Sequence, residues 1–378
     1  MSDKTVLDYT DEELASLSNE ELLKLKEEAI FGADNAHTGQ LSKKYLINAL
    51  YGANENKFLP LNNPEIAASI TANGRYFIRK TSNYVEAALQ KVVPSNKQYV
   101  IYNDTDSSYF QVDPIVRKFQ EKHPDATTDD CVDFVDSLFE KVIQPAIDKS
   151  IDDAVYDLNA FDRSRIQAKK ELVADKAIWC AKKKYMARVL EDEGTRFPVD
   201  NPHIKVMGLE LAKSTTPSWV KKKLNYATGI LFDKSESELR KWVNDGVKPE
   251  YTSAPMVEIS QVGAASRLDY DLNQGSVPIL SRAAIVYNNF ITENNLENEF
   301  SLIEPSNKFK YIRLNTPNPL KSDVCAYLDG KFAEKYLRKY VNYDEMFDKS
   351  FLKPLQLMCE GMGYDLFRKS EALTDWWY

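Results

Sequence analysis

Two aspartates separated by one residue, Asp104 and Asp106, lie between two runs of β-forming residues, 99–102 and 109–112. This pattern predicts a β-hairpin that carries both acids at its turn. Because side chains alternate along an extended strand, the two carboxylates are expected to leave by the same face. Adjacent carboxylates repel each other unless a cation lies between them, and two Mg²⁺ ions there could orient and activate a phosphoryl transfer. A polar turn and the Asp-x-Asp site of diphosphate-sugar transferases are alternatives with the same pattern.

A second candidate site lies in residues 43–52, which read Lys-Lys-Tyr-Leu-Ile-Asn-Ala-Leu-Tyr-Gly. On a helix of about 3.6 residues per turn, Lys44, Asn48 and Tyr51 share one face. This cation, amide and phenol could hold a triphosphate and the edge of a base pair, although an amphipathic core helix gives the same pattern. Three apolar side chains are expected to face a core instead: Leu46, Ile47 and Leu50.

The third segment is locally basic. Residues 162–188 hold nine Lys and Arg against three acids, a net charge of +6, in a chain whose net charge is −8. Its centre is a run of three lysines, Lys182, Lys183 and Lys184, that ends in Tyr185. A lysine run is usually a solvated surface, but the aromatic residue and the acidic remainder of the chain favour contact with a phosphate backbone.

In this order, the three segments resemble the C-terminal half of a family B DNA polymerase, most closely the replicative polymerases of T-even-type bacteriophages. The corresponding motifs of that family read approximately Lys-x-x-x-Asn-Ser-x-Tyr-Gly, Tyr-Gly-Asp-Thr-Asp-Ser and Lys-Lys-Arg-Tyr. Residues 134–148, 205–217 and 349–364 also have counterparts there, so the resemblance covers essentially the whole chain. It implies nucleotidyl transfer from a deoxynucleoside triphosphate (dNTP) to a primer 3′-hydroxyl, with two Mg²⁺ ions.

The resemblance also implies a role for each matching residue. Asp104 and Asp106 are the catalytic carboxylates that hold the metals, and Glu171 is an accessory acid near them. Lys44 and Asn48 contact the incoming nucleotide, with Lys44 on its phosphates. Tyr51 takes part in nucleotide binding and, with Gly52, packs against the minor groove of the nascent base pair. The residues implied to hold DNA in addition to Gly52 are Thr105, Lys182, Lys183, Lys184 and Tyr185.

Three positions depart from the family motifs: Ala49 replaces Ser, Asn103 replaces Gly, and Lys184 replaces Arg. Asn tolerates a positive φ better than most residues, so Asn103 is expected to keep the turn. Ala49 loses a hydroxyl but keeps helix propensity, whereas Lys184 keeps its charge and loses the bidentate fork of arginine.

The sequence lacks a further aspartate that the family needs, from an Asp-x-x-Ser-Leu-Tyr-Pro-Ser motif that precedes the fingers. The exonuclease, the N-terminal domain and the first fingers helix also have no counterpart. We therefore expect either a truncated polypeptide or one product of a split gene, and the Met at position 1 favours the split gene. The expected partners are an N-terminal polymerase half with the exonuclease and the remaining palm motif, primer-template DNA, a dNTP and a sliding clamp.

The predicted fold class is α+β. Residues 1–56 read as the C-terminal part of the fingers, with two short helices opened by capping boxes at Thr10 and Ser18 and a third helix that carries Lys44. Residues 57–208 read as a mixed palm with an antiparallel sheet and the catalytic hairpin, and residues 209–378 as a mainly helical thumb. In the thumb, Arg282 and Tyr287 are candidates either for duplex contact or for a structural role.

The C-terminal tail carries four large apolar residues: Leu373, Trp376, Trp377 and Tyr378. Such residues pack on their own core or bind a groove of a partner. The related phage polymerases end in an apolar-aromatic peptide that docks on the sliding clamp, which favours a clamp-binding tail.

Composition limits the classes of protein to which the chain could belong. The chain has 378 residues, of which 43% are hydrophobic, enough for a sizeable core and more than one domain. Its four cysteines are scattered, which fits a reducing cytoplasm, here that of a phage-infected bacterium. No apolar run is long enough to predict a membrane span. The competing function is a non-catalytic module that binds duplex DNA and a sliding clamp, but such a module needs neither the Asp104–Asp106 pair nor the Lys44–Asn48 spacing.

Overall fold

The computed structural model describes residues 9–160, 162, 166–273 and 276–366. The fold is α+β, as predicted. The helices are α1 Asp11–Ser16, α2 Asn19–Glu55, α3 Pro64–Val92, α4 Asp113–Lys122, α5 Thr128–Leu138, α6 Gln144–Asp157, α7 Ser218–Asp233, α8 Glu236–Trp242, α9 Lys248–Ser253, α10 Met256–Ile259, α11 Ile279–Glu293, α12 Gly330–Phe332, α13 Tyr343–Phe347 and α14 Lys353–Glu360. The strands are β1 Val100–Asp104, β2 Ser107–Phe110, β3 Leu172–Ala181, β4 Lys184–Asp192, β5 Thr195–Arg196, β6 His203–Met207, β7 Gln261–Ala264, β8 Lys308–Arg313 and β9 Val324–Tyr327.

The chain divides into two compact units. The first unit is Met1–Pro124 with Asp136–Lys169, and the second is Asp125–Val135 with Lys170–Tyr378. The predicted division into fingers, palm and thumb at residues 56 and 208 remains a prediction. No helix in the described ranges combines the length and the apolar character needed to cross a membrane.

In the first unit, the predicted capping boxes at Thr10 and Ser18 both form. The prediction of two separate helices after Ser18 is wrong, because α2 runs unbroken for 37 residues. Residues 32–42 hold no proline and include Ala and Gln, which sustain a helix across the expected break.

The expected core-facing side chains of α2 are exposed instead. Leu46, Ile47 and Leu50 are 72%, 68% and 54% exposed, and none of the α2 residues, all of which the structure describes, is buried. The expectation was wrong because periodicity predicts which residues share a face, not whether this chain supplies a surface to cover that face.

Helix α3 is a main packing element of the first unit. Pro64 is its first residue, and the Asn63 side chain caps it by accepting a hydrogen bond from the Ile66 amide at 3.1 Å. α3 contacts α6 through Thr81 and Ser150, whose hydroxyls lie 2.9 Å apart, and through Tyr84, which donates to Asp153 at 2.6 Å. Between them lies an apolar core: Val85, Leu89, Ile147 and Ile151.

The second unit contains two antiparallel sheets. β4 is the central strand of one, paired with β3, β5 and β6. The other has the order β7-β8-β9 and lies within the region that the sequence predicts as mainly helical, so these three strands were missed. One continuous core of buried residues joins β3, β4 and α7 to this second sheet and to α11.

Candidate active site

The two aspartates occupy different positions of one tight hairpin. β1 and β2 pair antiparallel, with Asn103 opposite Ser108 and Asp104 opposite Ser107. Thr105 and Asp106 therefore form the turn, and Thr105 takes the left-handed conformation with φ 57°. The alternation of an extended strand does not reach Asp106, so the basis for expecting both carboxylates on one strand face was wrong. Asp104 ends β1 half-buried, and Asp106 is exposed on the turn.

Hydroxyls of the hairpin lie against both carboxylates. Thr105 Oγ1 donates to Asp104 Oδ1 at 3.0 Å, and Ser107 Oγ lies 3.5 Å from Asp106 Oδ1. Within the described part of the chain, no group of three or more His, Cys, Asp or Glu residues is arranged to hold a metal ion. Two carboxylates still fit Mg²⁺, because this ion commonly binds one or two carboxylates together with substrate phosphates.

Helix α3 anchors the hairpin at two points one helical turn apart. The Glu86 carboxylate accepts hydrogen bonds from the amides of Tyr99 and Val100 at 2.8 and 2.9 Å. Ser82, which is buried, donates to the Asn103 side chain at 3.1 Å. Asn103 lies inside β1 and the positive φ falls on Thr105, so the expected reason for Asn103 was wrong. The sequence analysis identified neither Glu86 nor Ser82 as a support of the hairpin. Their only signal in the sequence is that they lie four residues apart on a predicted helix.

The nucleotide-binding candidates lie together on α2. Lys44 and Asn48 are exposed and Tyr51 is half-buried, and the single helix places all three on one face, as predicted. The exposed side chains of Gln40, Lys43, Lys44, Ile47 and Asn48 lie beside one another along this part of α2. Gly52 is exposed, with open space where a Cβ would lie, so a flat ligand can approach its backbone.

The lysine run forms the turn of the second unit's longest hairpin. Ala181 pairs with Lys184, so Lys182 and Lys183 are the turn residues, and Lys183 is left-handed with φ 62°. We call residues 182–184 the lysine turn. Lys182 and Lys183 are exposed, whereas Tyr185 is buried and its ring stacks on Trp179 at a centroid distance of 6.1 Å.

Several cations of the basic stretch already have acidic partners in the second unit. Arg188 donates to Asp175 at 2.8 Å and to Asp233 at 2.7 Å, and the hydrogen bond to Asp175 raises the pKa of the Arg188 guanidinium. Lys176 also pairs with Asp233, at 3.1 Å. Because Asp233 lies outside residues 162–188, the net charge of +6 counted from the sequence overstates the basic surface. In the described part of this stretch, Lys182 and Lys183 are exposed at the lysine turn.

Glu171 lies at the far end of β3 from the lysine turn, with the ten residues of that strand between them. Its carboxylate accepts a hydrogen bond from Lys205 Nζ at 2.6 Å. Burial lowers the pKa of Lys205, but the hydrogen bond and charge of Glu171, with the charge of Asp192, raise it above its ordinary value. Lys205 thus stays protonated and holds Glu171 within the second unit.

Some of the remaining candidate binding residues lie in the part of the chain that the structure describes, and others lie outside it. Tyr287 is fully buried and its hydroxyl donates to the Ser301 carbonyl at 3.0 Å, and Arg282 pairs with Asp323 at 3.1 Å. Tyr287 is thus structural. The clamp-binding candidates lie outside the described residues: Leu373, Trp376, Trp377 and Tyr378.

The hairpin carboxylates and the α2 face both lie in a segment of the chain that matches a known protein family. A family model described as DNA polymerase family B matches residues 21–121, which include both. The chain is therefore similar to family B DNA polymerases in the segment that holds Lys44, Asn48, Asp104 and Asp106.

Individual relatives extend this similarity. The DNA-directed DNA polymerase of Enterobacteria phage T4 is 28% identical over 381 residues, 95% of this chain and 41% of the relative. The DNA-directed DNA polymerase of Escherichia phage RB69 is 27% identical over 357 residues, 89% of this chain and 38% of the relative. A DNA polymerase of Pyramimonas orientalis virus is 28% identical over 186 residues. These matches confirm the resemblance to T4-type family B polymerases, and the chain spans about two fifths of the length of the two phage relatives.

Proposed function

We propose that this chain carries part of the nucleotidyl-transfer centre of a replicative, template-directed DNA polymerase and that a separate polypeptide supplies the rest. The main observation in support of this proposal is that the segment matched by the family model contains both the α2 face and the hairpin. Both of these elements lie in the first unit. A module that only binds duplex DNA and a clamp has no use for either.

In the proposed reaction, the primer 3′-hydroxyl attacks the α-phosphate of a dNTP, a P–O bond forms, and pyrophosphate leaves. Asp104 and Asp106 would hold Mg²⁺, with Glu171 as an accessory carboxylate. Mg²⁺ bound there would lower the pKa of the attacking hydroxyl and compensate the charge on the leaving group. The hydrogen bonds that Glu86 accepts from the amides of Tyr99 and Val100, and the one that Ser82 donates to Asn103, keep the hairpin in place against α3.

The α2 face would bind the nucleotide. Lys44 is exposed, and no acidic side chain in the described residues pairs with it, so its charge is available to a triphosphate. Asn48 lies one turn further along and would contact the same nucleotide. Tyr51 and Gly52 would lie against the minor groove of the nascent base pair, where the open space at Gly52 admits a base edge.

The primer strand would be held by Thr105 on the hairpin and by the lysine turn. Phosphate contacts from Lys182, Lys183 and Lys184 position a duplex without reading its sequence. Tyr185 is buried, so its contribution would be to support the base of the turn through its stacking on Trp179.

The separate polypeptide would bring the exonuclease and the remaining palm aspartate. One observation supports it: α2 exposes large apolar side chains that water-facing helices seldom carry in such number. Besides Leu46, Ile47 and Leu50, these exposed apolar residues of the first unit include Ile30, Phe31, Phe58 and Leu61. The phage relatives support the cytoplasm of an infected bacterium as the place of action.

The test of this proposal is primer extension by the rigorously purified chain, alone and mixed with a candidate N-terminal half. We expect no templated extension by the chain alone, because two carboxylates without the remaining palm aspartate cannot complete a two-metal site. Extension should appear only in the mixture. Robust extension by the chain alone would overturn the split-polymerase proposal, and no extension by any mixture that binds DNA would favour a non-catalytic role.

The C-terminal tail is proposed to bind a sliding clamp. Each large aromatic buries roughly 150–250 Å², but the entropy cost of association offsets much of that gain, so the contact should be weak and act as a tether once DNA also holds the enzyme. Replacing Trp376 and Trp377 with Ala should remove clamp stimulation and leave clamp-free synthesis unchanged. Product lengths under single-hit conditions, with and without clamp, measure this effect. Thr374→Ala/Asp375→Ala is the matched control, and an equal loss without clamp would mean that the tryptophans are core residues.

A further inference from the structure

We propose that Gly208 positions the lysine turn for its contact with DNA. This inference rests on the proposed function, because it concerns how the second unit presents Lys182 and Lys183 to a primer-template. Gly208 is a positioning residue in this view, and it touches the turn rather than the nucleic acid.

Gly208 lies directly against the backbone of the turn. Met207, the last residue of β6, pairs with Tyr185 of β4. Gly208, which directly follows β6, therefore lies beside Lys184 at the end of the lysine turn. A Cβ at Gly208 would lie 2.1 Å from the Lys183 carbonyl oxygen and 3.2 Å from Lys184 Cγ. Only a glycine leaves room for the turn to lie this close to β6.

The contact cannot be relieved by a side-chain movement. The nearest atom is a backbone carbonyl oxygen, and Lys183 is itself held in the left-handed region at φ 62°. Gly208 also has a positive φ, 66°, which side chains other than those of Asn and Asp seldom accept. Any Cβ at this position must therefore displace either the turn or the end of β6.

Displacing the turn changes where two neighbouring ammonium groups lie relative to a duplex. Each phosphate that a cation neutralises releases a counterion and adds roughly 0.9 to the slope of log affinity against log salt concentration. If the turn moves, Lys182 and Lys183 no longer reach their two phosphates together. The number of phosphates contacted should then fall, and the salt dependence of binding should fall with it.

The sequence offers a matched control in Gly194. Gly194 lies in the tight connection between β4 and β5 of the same sheet, and its φ is 85°. Unlike Gly208, it has no atom within 4 Å of the place where a Cβ would lie. Gly194→Ala therefore carries the conformational cost of a positive φ without the collision with the turn.

The experiment measures binding of the full chain to a fluorescein-labelled primer-template by anisotropy over a series of salt concentrations. For Gly208→Ala we expect an affinity about tenfold or more below wild type at low salt and a salt slope reduced by about one to two. For Gly194→Ala we expect the wild-type slope. A loss of folded protein lowers only the active concentration and leaves the slope unchanged, so the slope separates positioning from simple destabilisation.

Two further variants distinguish the possible failures. If Lys182→Ala/Lys183→Ala binds with the wild-type slope, the proposed DNA contact of the lysine turn is wrong. If that double variant loses slope but Gly208→Ala does not, the DNA contact stands and the role of Gly208 is overturned.

Should Gly208→Ala fail to fold, Gly208→Asn keeps the Cβ collision while tolerating the positive φ. A wild-type slope for Gly208→Asn, or failure of both variants to fold while Gly194→Ala folds, also overturns the proposal.

Discussion

Asp106→Asn in the assembled polymerase is expected to abolish templated primer extension while primer-template binding remains close to wild type. The substitution keeps the volume of the side chain and removes the charge of the exposed carboxylate on the hairpin turn. Because Mg²⁺ selects charged oxygen ligands, the amide is a poor replacement, and the loss should fall on the chemical step.

DNA binding should survive because the proposed phosphate contacts lie elsewhere. The lysine turn is in the second unit, and contacts of lysines with phosphates dominate the affinity of proteins for duplex DNA. Removing one negative charge should, if anything, slightly strengthen a purely electrostatic association. The expected signature is thus an unchanged or lower dissociation constant together with no extended product.

The measurement compares single-turnover extension with anisotropy on the same preparations. Asp113→Asn is the matched control, because Asp113 is an exposed carboxylate of the same unit whose ion pair with Arg117, at 2.9 Å, is also exposed. This control should extend primers normally. If Asp106→Asn keeps a tenth or more of the wild-type rate, Asp106 is not a principal metal ligand.

The hairpin illustrates how far the sequence could predict the site. Two β-forming runs around Asp-x-Asp were sufficient to predict the hairpin and its acids, because turn and strand preferences are local. They were not sufficient to place Asp106 on the turn with Thr105 left-handed, since the register depends on which residues pair across the hairpin. The support from Glu86 is equally hard to predict, because its spacing of four from Ser82 is the only sequence signal of a carboxylate that binds amides of another element.

The helices and the charged residues show the same limit of prediction from sequence, which works for local features and fails for contacts between distant segments. The capping boxes at Thr10 and Ser18 were predictable from a few neighbouring residues and both form. The burial of α2 was not, because burial depends on what covers a helix. Lys176 and Arg188 of the basic stretch share Asp233, an acid outside that stretch, and Asp233 lies 45 residues beyond Arg188. The β7-β8-β9 sheet was missed since its strands are short and far apart in sequence.

Lys44→Ala is expected to impair use of the nucleotide far more than binding of the primer. Lys44 is exposed on α2 beside Asn48, and no acidic side chain in the described residues neutralises it. A lysine that faces a triphosphate compensates charge when the nucleotide binds and again in the transition state. Loss of such a contact typically costs on the order of 2–4 kcal/mol, or roughly 10²–10³ in the efficiency of nucleotide incorporation.

The control for Lys44 is Lys26→Ala on the same helix. Lys26 is exposed and lies 18 residues before Lys44, which is five turns, so it shares the same face about 27 Å away. Lys26→Ala removes an equal charge from α2 without changing the part of the helix surface that Lys44 and Asn48 share.

Single-nucleotide incorporation kinetics on the assembled polymerase decide between the two roles of Lys44. For Lys44→Ala we expect kcat/KM for the nucleotide to fall by two to three orders of magnitude while the dissociation constant for primer-template changes little. Lys26→Ala should match wild type in both measurements. If the two variants lose the same small amount of activity, the charge of α2 acts only at long range and Lys44 is a solvated helix residue. A loss confined to Lys44→Ala would instead require a ligand within reach of its ammonium group, which is the property that the proposed nucleotide site demands.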